Sequence, residues 1–317
     1  MRLPSVVWFA LLGLVACHKV EESGRNDSPN VITTKNLRSI WESSPNDVWV
    51  VGDKGTILHF DGHAWTRMPS GTEDDLSSVT GTGPANIYIT GQHGAILHWD
   101  GKEVHEVSGS EGGPDAAETT LLHVWASGPN DIWAVGIGEG DEGGYLRKWN
   151  GTKWETQYIP GSSSLWGASG TGPGDVWMVG NSEKGDGFVL HGDGKHFDAN
   201  GYKGGQARSV WPYKPDDVWV APANGSLQHW NGTAWLAVSP PDGSWCRIAG
   251  SGPDDIWAVG MDGVTWHKHG GAWAQVPTGT NQIIWSVVSE GPNSAWAVGN
   301  NGTILRWNGS AWAQAKP

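Results

Sequence analysis

Short apolar runs recur along the chain about every 40 residues, each closed by polar turn residues. The pattern Asn/Asp-(Val/Ile)-Trp-x-Val-Gly returns with its aromatic at Trp49, Tyr88, Trp133, Trp177, Trp219, Trp257 and Trp296. The steps between them are 39, 45, 44, 42, 38 and 39 residues. A turn precedes each copy, such as Ser44-Pro45-Asn46-Asp47 or Gly252-Pro253-Asp254-Asp255. A second apolar run follows and ends in an aromatic and a tight turn, as in Ile57-Leu58-His59-Phe60-Asp61-Gly62 and Ile304-Leu305-Arg306-Trp307-Asn308-Gly309. Beyond that turn most copies carry one more aromatic: Trp65, Trp154, Phe197, Trp235, Trp273 and Trp312, with Val104 in the second copy.

Asp-Gly and Asn-Gly between apolar runs signal a hairpin whose two central residues both take positive φ. Each repeat therefore predicts four antiparallel strands, in the first copy Leu37–Glu42, Val48–Gly52, Thr56–Phe60 and Ala64–Met68. Four strands per 40 to 45 residues is the period of a propeller blade. One blade has two apolar faces and cannot bury them alone; stacking in a ring buries them against neighbours. The expectation is an all-β, seven-bladed β-propeller over 37–317, with four antiparallel strands per blade.

The inner-strand Leu-x-x-(Val/Ile), the Trp-x-Val-Gly strand and the Gly-x-x-Trp entry to the outer strand resemble the BNR/Asp-box and photosystem assembly-factor type of bacterial β-propeller. The strict Asp-box places Asp five residues before the Trp. Here that position before Trp65 is Phe60, and Asp61 follows it.

Composition narrows the reading further. Gly is 48 and Trp 23 of 317 residues, and only 17% are charged. That excludes disorder, a coiled coil and a helical bundle. A net charge of −13 disfavours nucleic acid and anionic membrane surfaces as partners. No cofactor motif is present, and a monomer is expected.

The start of the chain reads as an address. Met1-Arg2-Leu3-Pro4 precedes a short apolar run from Ser5 to Ala16, a signal-peptide pattern too short to span a bilayer stably. Leu14-Val15-Ala16-Cys17 resembles the bacterial lipoprotein box, which implies cleavage before Cys17 and its lipidation. His18 after it, rather than aspartate, favours the outer membrane by the same resemblance. Residues 17–36 then form a polar tether.

The repeated tryptophans read as core. The recurrent His59, His98, His191, His229 and His267 share one third-strand position, so they cannot converge on a metal. Cys246, on an inner strand, reads as a small buried side chain. The informative positions break the repeat. Inner strands align Leu37, Leu76, Leu121, Leu165, Ala207, Trp245 and Ile284; the next position varies as Arg38, Ser77, Leu122, Trp166, Arg208, Cys246 and Trp285, with His123 and Arg247 further along. Inner strands line the central channel, so Arg38, Trp166, Arg208, Arg247 and Trp285 are the candidate ligand-binding residues. Long insertions at 108–120, 137–144 and 181–187 fall on one face and carry Glu139, Asp141, Glu142, Glu183 and Asp186, a candidate acidic surface. The run 138–144 offers oxygen ligands for calcium but matches no EF-hand spacing, and no metal site is expected.

The functional expectation is a lipid-anchored envelope scaffold, non-catalytic, whose partner is an envelope protein. The alternative is a glycan-binding propeller. A sialidase-like hydrolase stands third: Arg38, Arg208 and Arg247 could supply its arginines, but no paired carboxylates occur on inner strands.

Overall fold

The computed structural model describes residues 32–108, 119–138 and 143–315. The signal segment, Cys17 and most of the tether lie outside the described residues, as do Glu139, Asp141 and Glu142. Seven four-stranded antiparallel sheets form, each from four consecutive strands. In the first blade these are Leu37–Ser44, Asp47–Gly52, Thr56–Phe60 and Trp65–Met68. The first strands of successive blades touch in a ring, and the last touches the first. Among the described residues no helix is long and apolar enough to cross a membrane.

The second strand of each blade is wedged between neighbours and loses the usual alternation of apolar and polar positions. Val48, Trp49, Val50 and Val51 are all buried, as expected for a strand covered on both faces. Trp49 of blade 1 packs with Leu76, Val79, Ile87 and Ile89 of blade 2. Trp257 of blade 6 packs in the same way with Ile284, Val287 and Trp312 of blade 7. At the seam, Trp296 and Val298 of blade 7 meet Leu37, Ile40, Val48 and Val50 of blade 1. Burying each such ring contributes on the order of 1.5–3 kcal/mol.

The ring closes by packing, without strand exchange. The lead-in segment lies against the last blade: Ile32 packs on the seam cluster, and the Gly302 amide donates to the Lys35 carbonyl at 2.8 Å.

The outer hairpins differ from the expected turn. Only blade 6 has a two-residue loop, Gly270-Gly271 between paired His269 and Ala272, with φ of 59° and 83°. The other six use four-residue loops in which only the glycine has positive φ. There the preceding side chain acts as an internal acceptor: Asp61 Oδ1 takes the His63 and Ala64 amides, each at 2.9 Å. A side-chain acceptor supplies what a second positive φ would otherwise supply. Backbone donors at Glu103 and Lys102, and at His196 and Lys195, hold the Asp100 and Asp193 carboxyls down at about 2.

The recurrent histidines form a polar network within five of the blades, most deeply buried in blade 6. In blade 6, His267 Nε2 donates to Asp255 Oδ1 at 2.7 Å, and Ser251 Oγ donates to Asp255 Oδ2 at 2.6 Å. The His267 ring lies flat on Trp257, with centroids 3.8 Å apart. Asp47–His59, Asp175–His191 and Asp217–His229 repeat the bond, and Asn86–His98 does so with an amide. In blade 3 Lys148 takes the histidine's place, 3.3 Å from Asp131 and above Trp133.

Blade 7 breaks this network, with Ser294 and Arg306 at the two positions. Arg306 sits over Trp296. Beside it, Glu42 from blade 1 buries both carboxyl oxygens without a hydrogen-bond partner among the described residues. Burial first, and Glu290 second, push its pKa up to about 8 against the pull of Arg306.

Candidate functional site

Every inner strand carries the same irregularity near its start. In blade 1, Leu37 pairs with Gly52 and Ser39 with Val51, so Arg38 is an extra, unpaired residue. Ser77, Leu122, Trp166, Arg208, Cys246 and Trp285 are skipped identically in the other six blades. These are β-bulges, which re-aim one side chain out of the ladder. In blade 1 the glycine that ends the second strand permits the close approach: a Cβ on Gly52 would lie 2.1 Å from the Asn36 carbonyl oxygen. All seven bulged residues line one cavity of about 240 Å³ at the mouth of the channel.

Two cation–π pairs flank that mouth from opposite sides of the ring. Arg38 of blade 1 lies over Trp285 of blade 7, 5.1 Å from the ring centroid. Arg208 of blade 5 lies over Trp166 of blade 4, at 5.6 Å. Both indoles are pinned: Trp285 Nε1 donates to Asn300 Oδ1 at 2.6 Å, and Trp166 Nε1 donates to the Asn181 oxygen at 3.1 Å once that amide is turned so that its nitrogen donates to the Gly180 carbonyl. Arg38 Nε donates to Asp53 Oδ1 at 2.7 Å. Arg208 has no ion pair among the described residues.

One residue further along, the site has a second ring. Ser39, Ser78 and Ser209 each accept, through Oγ, the backbone amide of the next blade's inner strand, at 3.2 Å from Val79, Val124 and Ile248. His123 takes over the same task in blade 3: its Nδ1 accepts the Ala168 amide at 3.3 Å. Arg247 holds this position in blade 6 and has nothing to accept with. Its Nη1 instead reaches across the channel to His123 Nε2. Burial, and then the charge of Arg247, push the His123 pKa well below the ordinary imidazole range. Burial lowers the Arg247 pKa only to about 10. At neutral pH the imidazole is neutral and the guanidinium charged.

The structure thus brings Arg38, Trp166, Arg208, Arg247 and Trp285 to one cavity, as the break in the repeat implied. It adds His123, which the sequence marks only as a histidine where five other blades carry serine or glycine and blade 6 carries Arg247. Cys246 departs from its expected burial and half-faces the mouth, because it is a bulged residue. Glu183 and Asp186 are exposed, on the turn between the second and third strands of blade 4, and do not enter the cavity.

No protein-family profile and no curated protein matches the chain. Solved structures do match in shape. YCF48 from Cyanidioschyzon merolae is 19% identical, with a TM-score of 0.66 over 88% of this chain and 98% of its own. YCF48 bound to D1 peptide is 18% identical, with a TM-score of 0.67 over 88% and 95%. The WD40 propeller domain of Doa1 is 12% identical, with a TM-score of 0.69 over 91% and 96%. At these identities the chain is similar to all three in fold, as a seven-bladed β-propeller.

Proposed function

We propose that this protein is a non-catalytic binding scaffold of the bacterial cell envelope, tethered to the outer membrane by a lipid on Cys17, that holds a segment of another protein at the channel mouth. The observation that carries this reading is the pair of Arg–Trp clamps on a rigid ring, each indole pinned by an asparagine. A guanidinium stacked on a pinned ring loses little freedom when it binds, which favours recognition of a partner's polar groups. YCF48, similar in fold, has been solved with a bound peptide. The non-catalytic part rests on the cavity lining, where Asp75 is the one carboxylate among the described residues; glycoside hydrolysis needs two.

The glycan alternative needs tryptophans lying open at the surface. Leu236 is the only large apolar side chain exposed among the described residues, so no tryptophan among them lies open as such a platform.

The test is affinity capture from cross-linked cells with the full chain, against an Arg38→Ala/Arg208→Ala/Trp285→Ala variant. A defined protein retained by the native chain and lost by the variant supports the scaffold. Equal recovery moves the site off the channel mouth. No recovered protein, together with binding on a glycan array, replaces the reading with the carbohydrate one.

A further inference from the structure

The base of the channel holds a contradiction that a ligand would resolve. A neutral imidazole has one donor and one acceptor nitrogen. His123 Nδ1 accepts the Ala168 amide, in the place where serines of three other blades accept the same bond. The proton is therefore on Nε2. That N–H faces Arg247 Nη1, and a guanidinium only donates. Two donors meet across the channel with no acceptor between them. Arg247 Nε is also buried and has no hydrogen-bond partner among the described residues. Above this point stand Arg38, held by Asp53, and Arg208, which has no ion pair among the described residues, with Asp75 the one carboxylate on the lining.

We infer that the base of the channel is an oxyanion site, in which a carboxylate on the bound partner segment sits between the Arg247 guanidinium and His123 Nε2–H. The inference rests on the channel mouth being the binding surface. The planar guanidinium fork matches a carboxylate with two parallel hydrogen bonds, and the imidazole N–H supplies a third. Occupancy would separate the facing donors and neutralise the buried charge. The carboxylate could be an acidic side chain or a chain end; both present the same chemistry to the site.

The experiment is a titration of the purified full chain, followed by tryptophan fluorescence and by the ring nitrogen shifts of His123. The probes are sodium acetate, inorganic phosphate and sodium chloride at matched ionic strength, then three blocked peptides. These are acetyl-Ala-Ala-Asp-Ala amide, acetyl-Ala-Ala-Ala-Ala with a free C-terminus, and acetyl-Ala-Ala-Ala-Ala amide. Two variants, Arg247→Ser and His123→Ser, restore the serine that other blades carry, so both keep the fold. Saturable binding of acetate with a shift at His123 Nε2 is expected, weakened at least tenfold in Arg247→Ser and several-fold in His123→Ser. Stronger binding of the Asp peptide or of the free-ended peptide identifies the source of the carboxylate. Equal response to acetate and chloride, undiminished binding by Arg247→Ser, or binding of phosphate alone would each overturn the inference. Partner capture that persists while all carboxylate probes fail would sink this inference and leave the scaffold standing. Carboxylate binding without any captured partner would do the reverse.

Discussion

His267 and Asp255 lie 2.7 Å apart with side chains only 7% and 6% exposed, and the histidine ring is stacked flat on Trp257. The carboxylate also accepts from Ser251 and from Ser289 of the next blade, at 2.6 and 2.7 Å. One acid thus ties two blades together. Asp255→Ala removes three hydrogen bonds and leaves the buried His267 donor unpaired, and should cost about 1–3 kcal/mol, read as a fall in the thermal midpoint at pH 7.

The same group sets an acid limit. Burial raises the Asp255 pKa, but the bonds from His267, Ser251 and Ser289 outweigh it, and the net shift is downward. A depressed folded pKa contributes stability above the unfolded value of about 3.9 and loses it as pH falls through the folded value. The stability gap between the native chain and Asp255→Ala should therefore be full at pH 6 and narrow below pH of about 4. A gap that stays constant down to pH of about 2 would contradict this.

Glu42 acts in the opposite sense. Its folded pKa of about 8 lies above the unfolded value, so the folded chain binds the extra proton. Stability is then full below pH of about 4.5 and declines as pH rises toward 8, at no more than roughly 1.4 kcal/mol per pH unit. Glu42→Gln keeps the shape without the charge. It should flatten the thermal midpoint between pH 5 and 8 and leave the neutral-pH protein more stable than the native chain.

Much of this could be read from the residues, for reasons that differ by element. Seven copies of one pattern share a core demand, so the Trp, Val and Gly positions repeat and the blades count themselves. The column Arg38, Ser77, Leu122, Trp166, Arg208, Cys246, Trp285 varies because a bulged residue faces the channel and escapes the shared demand of the core, and that variation marked the mouth. The His123–Arg247 contact was hidden because it joins blades on opposite sides of the ring, a relation no local pattern encodes. The histidine networks had a signal that repeats alone did not interpret: His59, His98, His229 and His267 each lie twelve residues after the acceptor they bind.

The tight contact between blades 1 and 2 is testable at Gly81. A Cβ there would lie 2.6 to 2.9 Å from the Trp41 ring. Gly81→Ala should destabilise by about 1–3 kcal/mol, and adding Trp41→Leu should recover part of the loss. Full additivity of the two substitutions in thermal melts would argue against the contact.

Tryptophans of the two kinds should separate cleanly. Trp257 is fully buried, and Trp257→Ala should cost about 3–5 kcal/mol. Trp285 is half-buried over the channel, and Trp285→Ala should cost roughly 1 kcal/mol. Calorimetric melts of the two variants make the comparison, and a larger loss in Trp285→Ala would recast the mouth as a structural layer.

The closure without strand exchange has a topological consequence. Every sheet is one uninterrupted stretch of sequence, and Ile32 and Ala315 pack against the same cluster at the seam. A circular permutant that joins 315 to 32 through a short linker and opens the chain between two other blades would break no sheet. The order of blades around the ring is fixed, while the point at which the chain enters it is a free choice.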